Sequence, residues 1–456
     1  MTAGVRAAVV LAAGKGTRFR SERAKVLHEL AGRSMLRWVL EALRPLALDR
    51  VVVVVGHQAD EVRAEAAASG LGGLRTVVQA EQRGTGHAVR QAVEDGALDG
   101  VDTVLVVPGD VPLLTAAPLQ ALLDQHGARQ ATMLTVHLDD PTGYGRVLRD
   151  DAGQVVRIVE ERDATAAQRA VDEVNASIYA FARDPLAAAL ADLTTDNAQD
   201  EEYLTDVVGP LTAAAVVAPA ALAAGVNDRA QLAAAATVLR GRVLQRLMEA
   251  GVTVVDPATT YVDADATVEP DTVLRPGTHL EGRCTIGAGA EIGPDTRLVD
   301  TSVEAGASVT YSVLVRASVG PGASVGPYTY LRPGTRLEER AKVGAFVEVK
   351  QSVIGAGSKV PHLSYIGDAT IGSDVNVGAA TVTVNYDGGG KHATVIGDGA
   401  FIGSDTMLVA PVEVGAGAYT GAGSVITEDV PDGALAIERS EQRTITGYAD
   451  RKRNRS

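Results

Sequence analysis

Two stretches of this 456-residue chain carry residue types whose spacing suits chemistry. The first starts as the apolar run Ala7 to Ala13 and continues as Leu11-Ala12-Ala13-Gly14-Lys15-Gly16-Thr17-Arg18, with Lys25 close behind. Glycine frees backbone amides to wrap phosphate oxygens, and two cations, Arg18 and Lys25, can neutralise them. No Gly-Lys-Ser/Thr closes the loop, so it is not a Walker loop. Phe19 stands where the third glycine of a dinucleotide fingerprint belongs. An ordinary strand-to-helix turn stays open as the alternative. Further on, after the polar block Gln79 to Ala88, the run Val104 to Val107 leads into Pro108-Gly109-Asp110. An acid just past the C-terminal end of a parallel strand sits where open α/β sheets bind ligands. Asp110 suits Mg2+, which takes few protein oxygens and fills its octahedron with water and phosphate. A turn or helix-capping aspartate is the competing reading.

The second stretch is Leu331-Arg332-Pro333-Gly334, Val347-Glu348-Val349-Lys350, His362-Leu363-Ser364-Tyr365, Val375-Asn376-Val377-Gly378 and Asn385-Tyr386-Asp387. Polar groups collect here in a region otherwise made of small and aliphatic residues. His362 is a candidate general base, since imidazole titrates near neutrality, although a lone histidine is more often structural. Arg332 and Lys350 are a solvated face or an anion site. The formal charge of −15, from 42 basic and 57 acidic residues, makes a basic pair informative and argues against nonspecific nucleic-acid or anionic-membrane binding.

These groups need rigid elements to hold them. At about 150 residues per domain the length allows roughly three folding units. Of the 49 glycines, 20 fall in the first 250 residues and 29 in the remaining 206, which predicts a change of plan near residue 250. Before it, apolar runs at Ala7 to Ala13, Val51 to Val55 and Val104 to Val107 alternate with helical stretches, the pattern of an α/β layered domain. Leu232, Leu239, Val243 and Leu247 mark one face of a linking helix that ends at Gly251, with Arg240, Arg242 and Arg246 left for solvent. Beyond it apolar residues recur every six: Ile286, Ile292, Leu298; Val319, Val325, Leu331, Leu337, Val343, Val349; Ile396, Ile402, Leu408, Val414, Thr420, Ile426. No helix keeps that period, whereas a β-helix stacks such residues coil upon coil. Asn385 to His392 breaks the period and reads as an exposed loop, a candidate site element. The longest apolar run, Ala213 to Ala224, is too short to cross a bilayer and contains Pro219. The single cysteine, Cys284, reads as a buried ladder or turn residue. With no charged leader and apolar stretch opening the chain, a reducing cytoplasm is expected.

With these motifs in this order, the chain resembles the bacterial bifunctional N-acetylglucosamine-1-phosphate uridyltransferase and glucosamine-1-phosphate N-acetyltransferase family. The likeness runs from Val9 to about Arg439. It rests on the glycine loop, Lys25-Val26-Leu27-His28, the Gln79 to Ala88 block, Asp139-Asp140-Pro141-Thr142-Gly143-Tyr144-Gly145-Arg146, and Gly225-Val226-Asn227. The resemblance implies a Rossmann-like uridyltransferase domain (1–228), a linker helix (229–250), a left-handed parallel β-helix acetyltransferase domain (251–438) and a tail (439–456). It implies acetylation of glucosamine 1-phosphate by acetyl-CoA, followed by UMP transfer from UTP with release of pyrophosphate. Asp110 and Asn227 would hold Mg2+, and Arg18 and Lys25 would neutralise phosphates. Leu11, Ala12, Ala13 and Gly14 would line the nucleotide site, while Gln79, Gln82, Gly84 and Thr85 would read uracil and ribose. Gly145, Glu160 and Asn175 would hold the sugar. In the second domain Glu348 would orient His362, the base, and Arg332 and Lys350 would bind the sugar phosphate. Tyr365, Asn376 and Lys391 would complete that site, with Ala379, Asn385, Tyr386, Ser404, Ala422 and Arg439 for acetyl-CoA. A homotrimer with acetyltransferase sites between subunits is implied, with no nucleic-acid or membrane partner.

Three departures from the family pattern stand out: Asn175-Ala176-Ser177 in place of Asn-Thr-Gly, Ala345 in place of Asn before Phe-Val-Glu, and Ala380 where glycine is frequent. The first leaves the local backbone open, while Ala345 and Ala380 predict altered contacts along the thioester approach, not lost activity. The runner-up is a one-activity sugar nucleotidyltransferase with a structural β-helix, and a noncatalytic scaffold stands behind it. The basic end, Arg451 to Arg455, is expected to be unstructured.

Overall fold

The computed structural model describes residues 4–220 and 225–453 and divides into two compact units that part between Leu239 and Arg240. In the first, the apolar runs become strands and the amphipathic stretches become helices: β1 (Arg6–Ala12), α1 (Met35–Leu43), β2 (Arg50–Val55), α2 (Ala59–Ala68), β3 (Leu74–Val78), α3 (Thr85–Glu94), β4 (Thr103–Pro108), α4 (Ala116–His126), β5 (Ala131–His137), β6 (Arg146–Arg149), β7 (Val155–Val159), β8 (Glu173–Ala182), α5 (Arg183–Ala191) and β9 (Ala213–Val217). The sheet order is β9-β5-β8-β4-β1-β2-β3, with β6 pairing β8 and β7. Alternate residues of one strand enter different cores. Ala8, Val10, Val51 and Val53 pack with α1, α2 and α4, while Ala7, Val9, Val52 and Val54 pack with α3 and α5. Burial on both faces is what a parallel strand requires.

The chain leaves β1 for β2 and β3 on one side and returns to β4 on the other. Both β2 and β4 pair with β1 in parallel. The crevice at such a switch point, beyond the carboxyl ends of β1 and β4, is where this architecture binds ligands. The antiparallel β8 and the β6–β7 hairpin were not signalled by the alternation of strands and helices. They wall the crevice on the far side of β4. Of the run Ala213 to Ala224, Ala213–Val217 form the edge strand β9, and residues 221–224 lie outside the described residues. Among the described residues no helix is long and apolar enough to cross a membrane.

A long helix, α6 (Arg229–Glu249), follows. Leu239, Val243 and Leu247 are buried as expected. The expectation that its arginines face only solvent is corrected. Arg240 stacks over the Tyr261 ring at 4.5 Å, and burial lowers the pKa of Arg242. Long cationic side chains cover apolar surface with their stems and aromatic faces with their heads.

The second unit is a left-handed parallel β-helix. Its short strands form three parallel sheets of eleven, ten and nine strands, in which every third strand along the chain is a neighbour. The apolar residues of the six-residue period are all buried, none more than 5 % exposed. Two residues before them stand small groups at the corners, among them Thr278, Cys284, Thr296, Thr335 and Ser358. Their hydroxyls donate to carbonyls of the same or the adjacent coil: Thr335 to Val349 at 3.0 Å, Ser358 to Gly372 at 2.6 Å. Cys284 occupies one such corner, and burial raises its thiol pKa. The expected loop at 385–392 is present, closed by a Tyr386–Lys391 bridge, but its first residue, Asn385, is buried. The tail departs from expectation in forming a short helix, Tyr448–Arg453, although every described residue from Ile437 onward is exposed. Residues 454–456 lie outside the described residues.

Candidate active sites

The crevice of the first unit is a cavity of about 720 Å³. Its floor is the strand-to-loop junction of β1. Gly109 donates to the Leu11 carbonyl at 2.9 Å, and Gln82 Nε2 donates to the Ala13 carbonyl at 2.9 Å, which pins the start of the glycine loop. Gly16 has φ +61, and a Cβ there would lie 2.6 Å from Lys25 Cβ. Glycine therefore lets the loop fold over Lys25. Lys25 Nζ donates to Asp110 Oδ2 and lies 3.4 Å from Asn227 Oδ1, which also accepts from Arg18 Nη2 at 2.8 Å. Val226 donates to the Asp110 carbonyl at 2.9 Å, holding the Asn227 segment beside the end of β4. Arg18, Lys25, Asp110 and Asn227, scattered through the sequence, thus meet at one point.

Ala12 and Ala13 are buried beneath the loop, and Gly14 is exposed at its tip. On the neighbouring wall Gly84 has φ +110, and a Cβ there would meet the Glu202 carbonyl at 2.5 Å. Thr85 opens α3, its Oγ1 accepting from Leu204 N at 3.1 Å. Gln79 is buried, its amide donating to the Gly84 carbonyl at 3.0 Å. The far wall comes from β7 and β8. Gly145 accepts from Asn175 N at 2.9 Å, and Glu160 Oε1 accepts from Thr205 at 3.2 Å. Burial, then the acids Asp206 and Asp163, raises the Glu160 pKa, with the Thr205 hydroxyl opposing. Asn175 is buried and donates to the Tyr179 hydroxyl at 2.6 Å. The Asn-Ala-Ser departure has a simple outcome. Ser177 adopts φ +59, the region that favours glycine, and its amide donates to Asn175 Oδ1 at 3.0 Å. Tyr144, Tyr203 and Thr205 also line the cavity and were missed. Tyr144 lies inside the quoted Gly143-Tyr144-Gly145-Arg146 motif, which could have pointed to it, whereas Tyr203 and Thr205 lie in a stretch with no such mark, and only the folding of the short turn Leu204–Val207 against β7 brings Thr205 in.

In the β-helix, one face carries Arg332, Glu348, Lys350 and Tyr365. Tyr330, Glu348 and Tyr365 are in register on successive coils. Arg332 Nη1 donates to Glu348 Oε1 at 2.8 Å. Lys350 Nζ lies 3.6 Å from Asp368 Oδ2, and Asn385 Nδ2 donates to the same carboxylate and lies 3.4 Å from the Tyr365 hydroxyl. Lys350 holds the neighbouring Lys391 ammonium below its usual range. Asp368 was missed, and nothing in its local sequence separates it from the other acids at positive-φ corners such as Asp374 and Asp405.

His362 stands at the adjoining corner. Successive corners are linked by backbone bonds: Leu363 to Ala345, Ala380 to His362, Asp405 to Ala379 and Gly423 to Ser404. Arg439 Nη1 donates to the Ala422 carbonyl at 3.0 Å. Ala345, His362, Ala379, Ser404 and Ala422 therefore form one column, capped by Arg439. Ala380 has φ +62, which accounts for glycine being frequent there. Asn376 lies on the preceding face, in register with Lys359 and Phe401, and Tyr386 projects from the exposed loop. The expected Glu348–His362 contact is not formed within the chain. Among the described residues Glu348 is engaged by Arg332 instead.

Residues 8–249 match the MobA-like NTP transferase domain, and residues 393–428 match the bacterial transferase hexapeptide of six repeats. Full-length relatives are also found. The chain is 54 % identical over 458 residues to bifunctional protein GlmU of Streptomyces avermitilis and, over the same length, 54 % identical to that of Streptomyces coelicolor, covering 98 % of this chain and 94 % of each relative. It is 50 % identical to that of Heliobacterium modesticaldum, covering 98 % of both chains. An α/β crevice with converging cations, a β-helix with a polar face, and this identity across both halves place the chain in the GlmU family of bifunctional proteins.

Proposed function

We infer that this protein is a bifunctional enzyme of UDP-N-acetylglucosamine synthesis. It acetylates glucosamine 1-phosphate with acetyl-CoA and then transfers UMP from UTP to the product, releasing pyrophosphate. The observation that carries this reading is the match over both halves to bifunctional relatives, joined to two separate polar sites. We assign uridyl transfer to residues 1–228, a linker to 229–250, acetyl transfer to 251–438 and a tail to 439–456.

In the first site a phosphate oxygen of N-acetylglucosamine 1-phosphate attacks the α-phosphorus of UTP. The bond to the β-phosphate oxygen breaks, and pyrophosphate leaves. No general base is required, because the phosphate dianion is already nucleophilic. The work is positioning and charge stabilisation. Arg18 and Lys25 neutralise the phosphates; Leu11, Ala12, Ala13 and Gly14 give close backbone approach. Gln79, Gln82, Gly84 and Thr85 hold the nucleoside, and Gly145, Glu160 and Asn175 hold the sugar. Asp110 and Asn227 suit Mg2+: their side-chain oxygens already converge on one cation, the Lys25 ammonium. Two protein oxygens are what a magnesium site usually offers. When bound, the ion would neutralise charge on the phosphates.

In the second site His362 takes a proton from the glucosamine ammonium. The freed amine attacks the thioester carbonyl, and the CoA thiolate leaves and is protonated. The Arg332, Lys350 and Lys391 cations suit the sugar phosphate, with Tyr365 and Asn376 beside them. The column Ala379, Ser404, Ala422 and Arg439 leads along a narrow corner to His362 and suits the extended pantetheine arm, with Asn385 and Tyr386 flanking it. We propose a homotrimer, in which Glu348, paired with Arg332 in the single chain, would turn to meet His362 of a second copy. Support comes from the apolar ridge Tyr311, Tyr328 and Phe346, whose ring centroids lie 5.3–5.7 Å apart and which is exposed in the single chain. UTP and acetyl-CoA point to the cytoplasm as its setting.

The test supplies glucosamine 1-phosphate, acetyl-CoA, UTP and Mg2+ and reads free CoA thiol and pyrophosphate separately. Both signals are expected. Pyrophosphate only when N-acetylglucosamine 1-phosphate is supplied, without thiol, would reduce the β-helix to a structural part.

A further inference from the structure

Gln79 lines the cleft and is 3 % exposed. Its Nε2 donates to the Gly84 carbonyl at 3.0 Å and lies 3.0 Å from His87 Nδ1. A carbonyl can only accept, so the Gln79 atom facing Gly84 is the nitrogen. That carbonyl is itself fixed, accepting from Ala88 N at 3.2 Å in the first turn of α3. With one N–H directed at Gly84, the second is directed at His87 Nδ1, which must be a bare ring nitrogen with the ring proton on Nε2. Both donors of the amide are then consumed. What Gln79 has left for the cleft is Oε1, which can only accept.

We propose that His87, buried on α3, is a specificity-determining positioning residue for uridyl transfer: by holding Gln79 Nε2 it keeps Oε1 as the acceptor that selects uracil over cytosine. Uracil carries N3–H, a donor, where cytosine carries a lone pair. Without His87 only the single bond to the Gly84 carbonyl opposes rotation of the amide, and its second N–H is released to a group that accepts, as cytosine does. A site built around one hydrogen-bond polarity rejects the opposite polarity strongly, because a mismatched buried group is left unpaired. His87 does not line the cavity and acts only through Gln79. This inference rests on the cleft being the UTP site.

The test measures kcat/KM for UTP and CTP by pyrophosphate release, using the full-length wild type, His87→Phe and His87→Asn. Phe fills the buried volume and accepts nothing; Asn Oδ1 is an acceptor near the position of Nδ1. His87→Phe is expected to lower the UTP-to-CTP ratio by at least about tenfold, the worth of one buried hydrogen bond, and His87→Asn to restore most of it. Equal losses for both nucleotides, leaving the ratio unchanged, would overturn the proposal. Should His87→Phe fail to fold, imidazole nitrogen NMR of the wild type decides: a ring proton on Nε2 is expected, and one on Nδ1 overturns it. A wild type that releases pyrophosphate with neither nucleotide would instead remove the UTP-site reading itself.

Discussion

Lys25 and Asp110 form an ion pair in the cleft of the first unit, with 14 % and 21 % of their side chains exposed. The ammonium is shared with Asn227 Oδ1, so two residues from distant parts of the sequence, Asp110 and Asn227, bracket one cationic position. Replacing Asp110 by Ala leaves Lys25 without its partner and removes one of the two oxygens suited to the metal. Pyrophosphate release is expected to fall by about 10²–10³-fold, the range for losing one preorganised electrostatic group. Acetyl transfer, read as free thiol, should be unchanged; loss of both activities in a folded variant would sink the division of labour.

His362→Ala tests the other half. Removing a general base slows proton transfer by about 10²–10⁴-fold. Thiol release should drop by that factor, while pyrophosphate release with supplied N-acetylglucosamine 1-phosphate should hold. A thiol rate within twofold of wild type would mean the histidine is only a corner residue.

Glu160 has a raised pKa, chiefly because it is buried. For a carboxyl whose folded pKa lies above its unfolded value, ionisation in the folded state is penalised. That penalty is complete above the folded pKa and disappears as pH falls below the unfolded one, about 4.3. Glu160→Gln should therefore raise the thermal midpoint of the first unit at pH 8, by an amount that shrinks steadily toward pH 4. The same change should raise KM for N-acetylglucosamine 1-phosphate about tenfold, as expected for one altered charged hydrogen bond. A stability gain that grows on acidification would contradict this account.

Asp387 closes the loop that carries Lys391. Its carboxylate accepts from Gly390 and Gly389 amides at 2.7 and 2.8 Å and pairs with His392 at 2.7 Å, and these contacts hold its pKa well below the usual carboxylate range. A depressed carboxyl keeps its contribution above the unfolded pKa and loses it only as pH falls through the folded one. Loop order should thus persist from neutral pH through pH 5. Asp387→Ala should speed amide exchange at Gly389 and Gly390 and raise KM for glucosamine 1-phosphate about tenfold. Unchanged exchange in that variant would show that the loop is held by something else.

Much of this was legible in the residues. A period of six points to a β-helix over an antiparallel sandwich, because a sandwich alternates every two residues whereas a coil stacks each buried residue on its counterpart; every marked position is buried. The valine runs declared parallel strands by needing two apolar faces, and the glycine loop declared its place after β1. Gly16 is required there because its neighbour is Lys25 Cβ. What one dimension could not supply was proximity between residues whose own surroundings are unremarkable. Thr205 reaches Glu160 only because a short turn packs against β7, and Asp368 joins Lys350 and Asn385 only because coils stack in register. His87 touches Gln79 because a helix begins between them and returns the ring to the strand end. Sequence sets local conformation and burial period, which depend on near neighbours. Which polar groups meet, and which hydrogen bond each has left to offer, depends on contacts closed over tens to hundreds of residues, and only the folded chain decides them.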